Sequence, residues 1–238
     1  RCARGRREGG EARATALRGE VAGRLRVGFN KDGGALRSTE LLGALSRRHP
    51  ELTFEVTTGT SGVLMKQILG RDLDATFYEG DCEDAAVESV ELLKQELVIA
   101  VPRAWAEQSD RPDWTWLASK PWVFVSPSCS YHRYIERVER VNGLRLQKRF
   151  QMDDDATGLK LIADRSAITM TTREALQHSG LDRSGAVAVW PHFRDVLPLS
   201  LGYLKSRRDD PVIAALRETA VAVWKTKSPP EGGLAKGG

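Results

Sequence analysis

Hydroxyl side chains are concentrated in two short segments that each precede a predicted helix. Thr60 and Ser61 stand before one apolar helical pattern, and Ser126, Ser128 and Ser130 stand before a second. The first turn of a helix carries free backbone N–H groups at the positive end of the helix dipole, which favours a bound anion. The sequence therefore predicts two elements that bind a small anion. The alternative is that one hydroxyl of the first segment and Ser130 of the second only cap their helices, which contributes about 1 kcal/mol for a cap. Capping by Ser130 is expected in either case.

Two other groups of side chains resemble parts of catalytic or metal sites. Cys129 and His132 are a nucleophile and a base by type, but no acid nearby is placed to orient the imidazole. The adjacent carboxylates at 153–155 invite a metal, yet their spacing does not match a calcium or magnesium loop. We interpret Cys129 as a half-buried thiol and Asp155 as a helix N-cap. The sequence also lacks a nucleophile elbow, a Walker loop and a dinucleotide fingerprint, so we expect no enzyme, metal or cofactor.

The net charge of +4 is carried by the two ends of the 238-residue chain. Residues 1–20 contain six arginines against three glutamates, and residues 225–238 contain three lysines against one glutamate. The region between them lacks the clustered Lys and Arg that hold nucleic-acid phosphates. The sequence contains no apolar run of about 20 residues, and its three cysteines are far apart. We expect a reduced, cytoplasmic protein without membrane contact.

Strand and helix patterns alternate along the chain from residue 24. Their β-α-β-α-β order is typical of a parallel sheet with right-handed crossovers, and a second series begins after Pro102. Strands are predicted at 24–29, 52–56, 73–78, 97–101, 122–125, 144–152, 167–171, 186–190 and 197–203. The pattern predicts an α/β fold of two lobes, with two crossings of a hinge between them. Such lobes bind ligands between them, at the carboxyl ends of the strands.

Four segments in order resemble one protein family. They are Leu17–Gly28, the Arg48–Phe54 segment with its His-Pro-Glu-Leu run, Gly59–Ala75 with its Gly-Thr-Ser start and Leu-Asp end, and Glu96–Pro102. Together they are similar to the effector-binding domain of LysR-type transcriptional regulators. The resemblance implies the fold of type 2 periplasmic binding proteins, which is two Rossmann-like lobes joined by two crossover strands, with an effector held in the cleft between the lobes. The helix starts and hydroxyls described above predict that this effector is small and anionic.

The resemblance also implies a division of the chain. Residues 1–23 would be a remnant of the linker helix, because they are too short for the family's DNA-binding domain, which we expect to be absent here. Lobe I would comprise residues 24–101 and 199–227, and lobe II residues 102–198. Residues 228–238 are rich in Pro, Gly and Lys and are expected to form a disordered tail.

The family's effector contacts map onto further residues. Asn30 and Lys31 follow the first strand, where Lys31 would suit an acidic effector or be a solvated turn lysine. Glu79, just past the third strand, also aligns with a cleft position, but the favoured interpretation is a surface carboxylate. Met152 and Asp153 are implied to lie at the cleft margin. With Thr60, Ser61 and the three serines of 126–130, these residues form the predicted effector site.

One segment departs from the family pattern. Arg165 and Ala167 stand where the family has glycine, and Thr172 stands where it has proline. The strand pattern survives, but the tight turn before it must be built differently.

The resemblance also implies partners. Relatives form homodimers or homotetramers, so we expect the helix 35–48 and the strand 52–56 to face the second lobe of a partner chain. DNA would be bound only through the missing N-terminal domain. The alternative function is a free-standing solute-binding protein of a transport system, which would share this fold.

Overall fold

The computed structural model describes residues 21–30, 37–108 and 113–225. The expectations for residues 1–20, for Lys31 and for the tail 228–238 concern residues outside these ranges. The strands are β1 (Gly23–Phe29), β2 (Leu52–Thr58), β3 (Ala75–Glu79), β4 (Val87–Pro102), β5 (Pro121–Phe124), β6 (Gln147–Gln151), β7 (Thr169–Thr172) and β8 (Val187–Leu204). The helices are α1 (Ser38–Arg48), α2 (Ser61–Leu69), α3 (Arg103–Glu107), α4 (Trp114–Ala118), α5 (Tyr131–Asn142), α6 (Asp155–Ala163), α7 (Arg173–Ser179) and α8 (Pro211–Lys225).

The main sheet has six strands in the order β2-β1-β3-β8-β4-β7. Strands β1, β2 and β3 are parallel, as predicted, whereas β8 runs antiparallel to both β3 and β4. A parallel pair, β5 and β6, forms a second sheet. Because parallel strands end at one edge, Phe29, Thr58 and Glu79 lie at the same side of the first lobe. The predicted α/β class is confirmed.

Two long strands carry the chain through both lobes. β4 spans 16 residues and β8 spans 18, and they pair with each other along most of their length. The sequence predicted only 97–101 of β4 and divided β8 into two strands. Pro191 and Pro198 interrupt the apolar alternation of β8, and several of its central residues are exposed, so the middle of this strand lacked a buried-strand pattern.

Each lobe has its own hydrophobic core on the two faces of the sheet. In the first lobe, α1 and α8 cover one face, where Phe29, Phe77 and Trp224 stack with ring centroids 4.8 and 5.4 Å apart. Helix α2 covers the other face through Leu64 and Ile68. The cores of the second lobe form around α5 on one side and around α6 and α7 on the other. Burial of these apolar faces holds each helix against its strands.

The turn that departs from the family pattern is built on a strained backbone. Arg165 adopts φ +58°, in the left-handed region that favours glycine. Its amide donates to Ile162 O at 3.0 Å, and Ser166 N donates to Leu161 O at 2.9 Å, which closes the end of α6. Thr172, in the family's proline position, accepts from Ala175 N and caps α7. No helix among the described residues is long and apolar enough to cross a membrane.

Candidate functional site

The two lobes meet where helix α2 begins. Thr60 precedes this helix in an extended conformation, and its side chain makes no capping hydrogen bond. The amides of a first helical turn have no acceptor within the helix. The amide of Gly62 donates instead to the carbonyl oxygen of Ser128, in the second lobe, at 2.9 Å. The start of α2 is therefore capped by a loop of the opposite lobe.

A chain of hydroxyl groups crosses the same boundary. Thr60 Oγ1 donates to Ser128 Oγ at 2.9 Å, although the two residues are 68 positions apart. Ser128 Oγ and Ser126 Oγ lie 2.8 Å apart, and Ser126 N donates to Asp153 Oδ1 at 2.8 Å. These four predicted site residues form one hydrogen-bonded group, which Asp153 anchors to the second lobe.

Ser61, Glu79 and Ser130 form a second group beside the first. Glu79 N donates to Ser61 Oγ at 3.0 Å, and Ser130 Oγ donates to Glu79 Oε2 at 3.2 Å. The surface position considered for Glu79 is wrong, because the residue is only 3% exposed. Every residue of β3 is buried, and its last side chain consequently lies between α2 and the loop of the second lobe.

The structure corrects the helix caps that the sequence predicted. Ser130 has a helical backbone, and its hydroxyl makes no cap hydrogen bond but reaches Glu79. Asp154 rather than Asp155 caps α6, since its carboxylate accepts from Ala156 N and Thr157 N. An N-cap residue needs a non-helical backbone, and Asp154 has one, whereas Asp155 is the first residue of the helix. Hydrogen bonding by Thr157 lowers the pKa of Asp154.

Two other predicted site residues, Asn30 and Met152, lie outside both hydrogen-bonded groups. Asn30 is half-buried directly after β1, and its side-chain oxygen has no hydrogen-bond partner among the described residues. Met152 donates its amide to Phe124 O at 2.9 Å and packs its side chain against the α6 and α7 core. The structure brings neither residue into the hydroxyl chain.

A cavity of about 350 Å³ opens beside these two groups. Its wall includes the serine loop, Met65, Tyr78, Cys82 and a set of charged residues that the sequence analysis did not assign: Asp81, Glu83 and Asp84. Arg133 crosses the boundary to donate to Asp81 Oδ2 at 2.8 Å. Burial raises the pKa of Tyr78, whose hydroxyl donates to Ser89 Oγ at 2.7 Å. No sequence motif indicated that residues 81–84 would line a cavity, because this depends on which element of the other lobe they face in the folded chain.

The geometry does not support nucleophilic catalysis by Cys129. His132 directs Nδ1 at the carbonyl of Val125, 3.2 Å away, and Nε2 at Glu136 Oε1, 3.1 Å away. Both ring nitrogens are thus engaged by groups other than the thiol. Within the described ranges, no group of three or more His, Cys, Asp or Glu side chains is arranged to hold a metal ion.

Comparisons with known sequences agree with this two-lobed arrangement. Residues 18–225 match the family described as the LysR substrate binding domain. The chain is 23% identical over 210 residues to an uncharacterised HTH-type transcriptional regulator, YusT of Bacillus subtilis (strain 168), covering 87% of this chain and 67% of YusT. It is 27% identical over 129 residues to the HTH-type transcriptional regulator YofA of Bacillus velezensis, covering 54% of this chain and 43% of YofA. The chain thus spans two thirds of one relative and less than half of the other.

Solved structures of the same fold are also similar to this chain. The effector binding domain of QuiR in complex with shikimate superposes with a TM-score of 0.68 at 18% identity, covering 88% of this chain and all of that one. The regulatory domain of CcmR from Synechocystis PCC6803, in complex with 2-PG, gives 0.73 at 14% identity, with coverages of 85% and 97%. Full-length CbnR in complex with its target DNA gives 0.63 at 18% identity, with coverages of 91% and 73%.

Proposed function

This chain belongs to the LysR substrate-binding domain family, and from that membership we propose that it is the effector-binding and oligomerisation part of a LysR-type transcriptional regulator. Its fold is the type 2 periplasmic-binding-protein-like fold of the effector domains that it resembles. The effector would be a small, anionic metabolite bound between the lobes. Its binding would shift the balance between arrangements of the lobes, and through them the DNA-bound state of the whole protein.

The observation that carries this proposal is the meeting of a helix N-terminus with hydroxyl groups from both lobes. The α2 amides and the side chains of Thr60, Ser126 and Ser128 supply hydrogen-bond donors within one hydrogen-bonded group. The positive end of the α2 dipole favours a negative charge there. A carboxylate or phosphate placed at this point would contact both lobes. Such a ligand would stabilise the arrangement in which the two lobes meet, relative to arrangements in which they are apart.

The alternative of a free-standing transport protein is less well supported. The family match and the named relatives are transcriptional regulators, and the fold is common to both classes. We therefore propose a binding role in gene regulation, in the cytoplasm, with DNA contacted through a separate domain of the regulator. For this chain we propose no catalytic activity.

We further propose that α1 and β2 form a homodimer face. β2 is an edge strand of the main sheet, so its outer backbone groups are open to pairing or covering by another chain. Val56 on this strand is 49% exposed, although its partner in β1, Val27, is fully buried. Covering this edge in a homodimer or homotetramer would bury the outer backbone groups of β2 and the side chain of Val56.

A thermal-shift screen of the purified chain against small carboxylates, phosphorylated metabolites and amino acids tests the effector proposal. A true ligand raises the melting temperature with dose, and ligand at 100 times its Kd stabilises the fold by about 2.7 kcal/mol. Replacing both cleft hydroxyls, Thr60→Ala with Ser61→Ala, should abolish the shift. The matched control removes two hydroxyls of α4 and its C-cap, Thr115→Ala with Ser119→Ala, and should retain it. No shift across the panel, or one that survives the cleft variant, would refute the proposal.

A further inference from the structure

The contact between Gly62 and Ser128 is closer than a side chain at position 62 would allow. A Cβ built on Gly62 would lie 2.9 Å from the Ser128 carbonyl oxygen and 3.1 Å from its Cα. Both of these are backbone atoms, so a rotamer change cannot relieve the overlap. The absence of a side chain at Gly62 is what lets the second lobe place a carbonyl oxygen on the first-turn amide of α2.

Three more contacts join the lobes around this hydrogen bond. Thr60 donates to Ser128 on one side of it, and Ser130 donates to Glu79 on the other. At the rim of the cavity, Arg133 forms an ion pair with Asp81 at 2.8 Å. These four contacts pair groups of one lobe with groups of the other.

We propose that the loop 126–130 is an intramolecular competitor of the effector, a latch that holds the lobes together through the Ser128 carbonyl. This inference rests on the proposed function, because the amide taken by Ser128 is one that an anionic effector would use. An effector must then displace the carbonyl before its own oxygen can accept from Gly62. The latch is an autoinhibitory contact that sets the sensing threshold, since a latch closed nine tenths of the time weakens the apparent affinity about tenfold.

Amide hydrogen exchange, measured by NMR on the full chain, tests the latch directly. Gly62 and Val63 lie in the same first turn, but the amide of Val63 has no acceptor among the described residues. We expect exchange at Gly62 to be at least tenfold slower than at Val63, relative to their intrinsic rates. Asp81→Asn removes the ion pair with Arg133 and should speed exchange at Gly62 by two- to five-fold, which corresponds to the contribution of a partly exposed pair. Glu83→Gln removes a charge from the same cavity wall without breaking that pair, and should leave the rate unchanged.

Titration with inorganic phosphate tests the competition. If phosphate displaces the carbonyl, the amide signals of Gly62 and Ser128 change along one saturation curve. Equal exchange rates at Gly62 and Val63, equal effects of the Asp81 and Glu83 variants, or a phosphate response that leaves Ser128 unchanged would each overturn the latch. The exchange measurement needs no effector, so its failure is distinguishable from failure of the proposed function, which the thermal-shift screen tests separately.

Discussion

The amide of Gly62 lies 2.9 Å from the carbonyl oxygen of Ser128, in a position where a methyl group at residue 62 would overlap that oxygen. Replacing a helical glycine by alanine normally stabilises a helix by about 0.5–1 kcal/mol. Here we expect Gly62→Ala to lower the free energy of unfolding by about 1–3 kcal/mol, because the lobes must separate to admit the methyl group.

Gly158 in α6 provides the matched control for this substitution. A Cβ at that position would find its nearest neighbour at 3.9 Å, an ordinary contact. Gly158→Ala should therefore leave the free energy of unfolding unchanged or raise it. Urea denaturation of both variants measures the difference, and equal stabilisation by the two alanines would show that the close approach at Gly62 does not exist in solution.

Asp74 joins β1 to the segment that leads into α8, within the first lobe. The residue is 5% exposed and accepts hydrogen bonds from Arg26 Nη2 at 2.8 Å, from Arg26 N at 2.7 Å and from Arg207. We expect Asp74→Asn to lower the free energy of unfolding by about 2–4 kcal/mol, because Arg26 and Arg207 lose the negative charge that pairs with theirs. Asp72→Asn, at the exposed residue two positions earlier, serves as the control in chemical denaturation. A change no larger than that of the control would contradict this role.

Stability should fall at acid pH through the same carboxylate. Burial acts to raise the pKa of Asp74, but hydrogen bonds from Arg26 and Arg207 outweigh it and leave the pKa below its ordinary value. A lowered native pKa adds stability above the unfolded value of about 3.9, and that stability is lost as pH falls through the native pKa. Hydrogen bonding by Arg173 likewise lowers the pKa of Glu96.

We therefore expect the free energy of unfolding to be nearly constant from about pH 7 to 5 and to decline below about pH 4. Asp74→Asn should make this decline shallower, because one of the titrating groups is gone. Denaturation curves at a series of pH values measure the acid decline of the free energy of unfolding in the native chain and in Asp74→Asn. Identical slopes in the two chains would show that Asp74 does not contribute to this decline.

Arg165 offers a site where a substitution should stabilise the protein. Its φ of +58° is unfavourable for a residue with a side chain, so Arg165→Gly should raise the free energy of unfolding by about 0.5–1 kcal/mol. Gly143, at φ +63° with nothing within 4 Å of a built Cβ, provides the reverse test. Gly143→Ala should lower stability by about 1 kcal/mol. If both substitutions shift the melting temperature in the same direction, backbone strain does not govern these turns.

The proposed dimer face predicts a change in self-association. Val56→Lys places a charge on the exposed edge strand β2, which should weaken a homodimer because the lysine would have to be desolvated. Val63→Lys, at a 43% exposed position on α2, is the control. Sedimentation velocity at micromolar concentration should show a dimer for the native chain and the control, and a monomer for Val56→Lys. A monomeric native chain would refute the proposed face.

Much of the first lobe could be predicted from the sequence, because its elements have clear periodicity and clear ends. Leu25, Val27 and Phe29 alternate in a strand that the structure confirms, and α1 ends at Arg48, the end predicted for the helix 35–48. The short helices α3, α4 and α7 were missed. They span five to seven residues, too few for a repeating apolar pattern to be recognised.

The sequence by itself determined the alternation of strands and helices, the family and the two hydroxyl-rich segments, since each of these depends on residues that are near one another in the chain. Only the tertiary structure decided what those segments contact. Glu79 is buried because β3 ends beneath α2, and Thr60 and Ser61 are not side-chain caps because their hydroxyls bond to Ser128 and Glu79. Gly62 and Ser128 meet because β4 and β8 carry the chain between the lobes, and a contact between distant segments leaves no local pattern in either one.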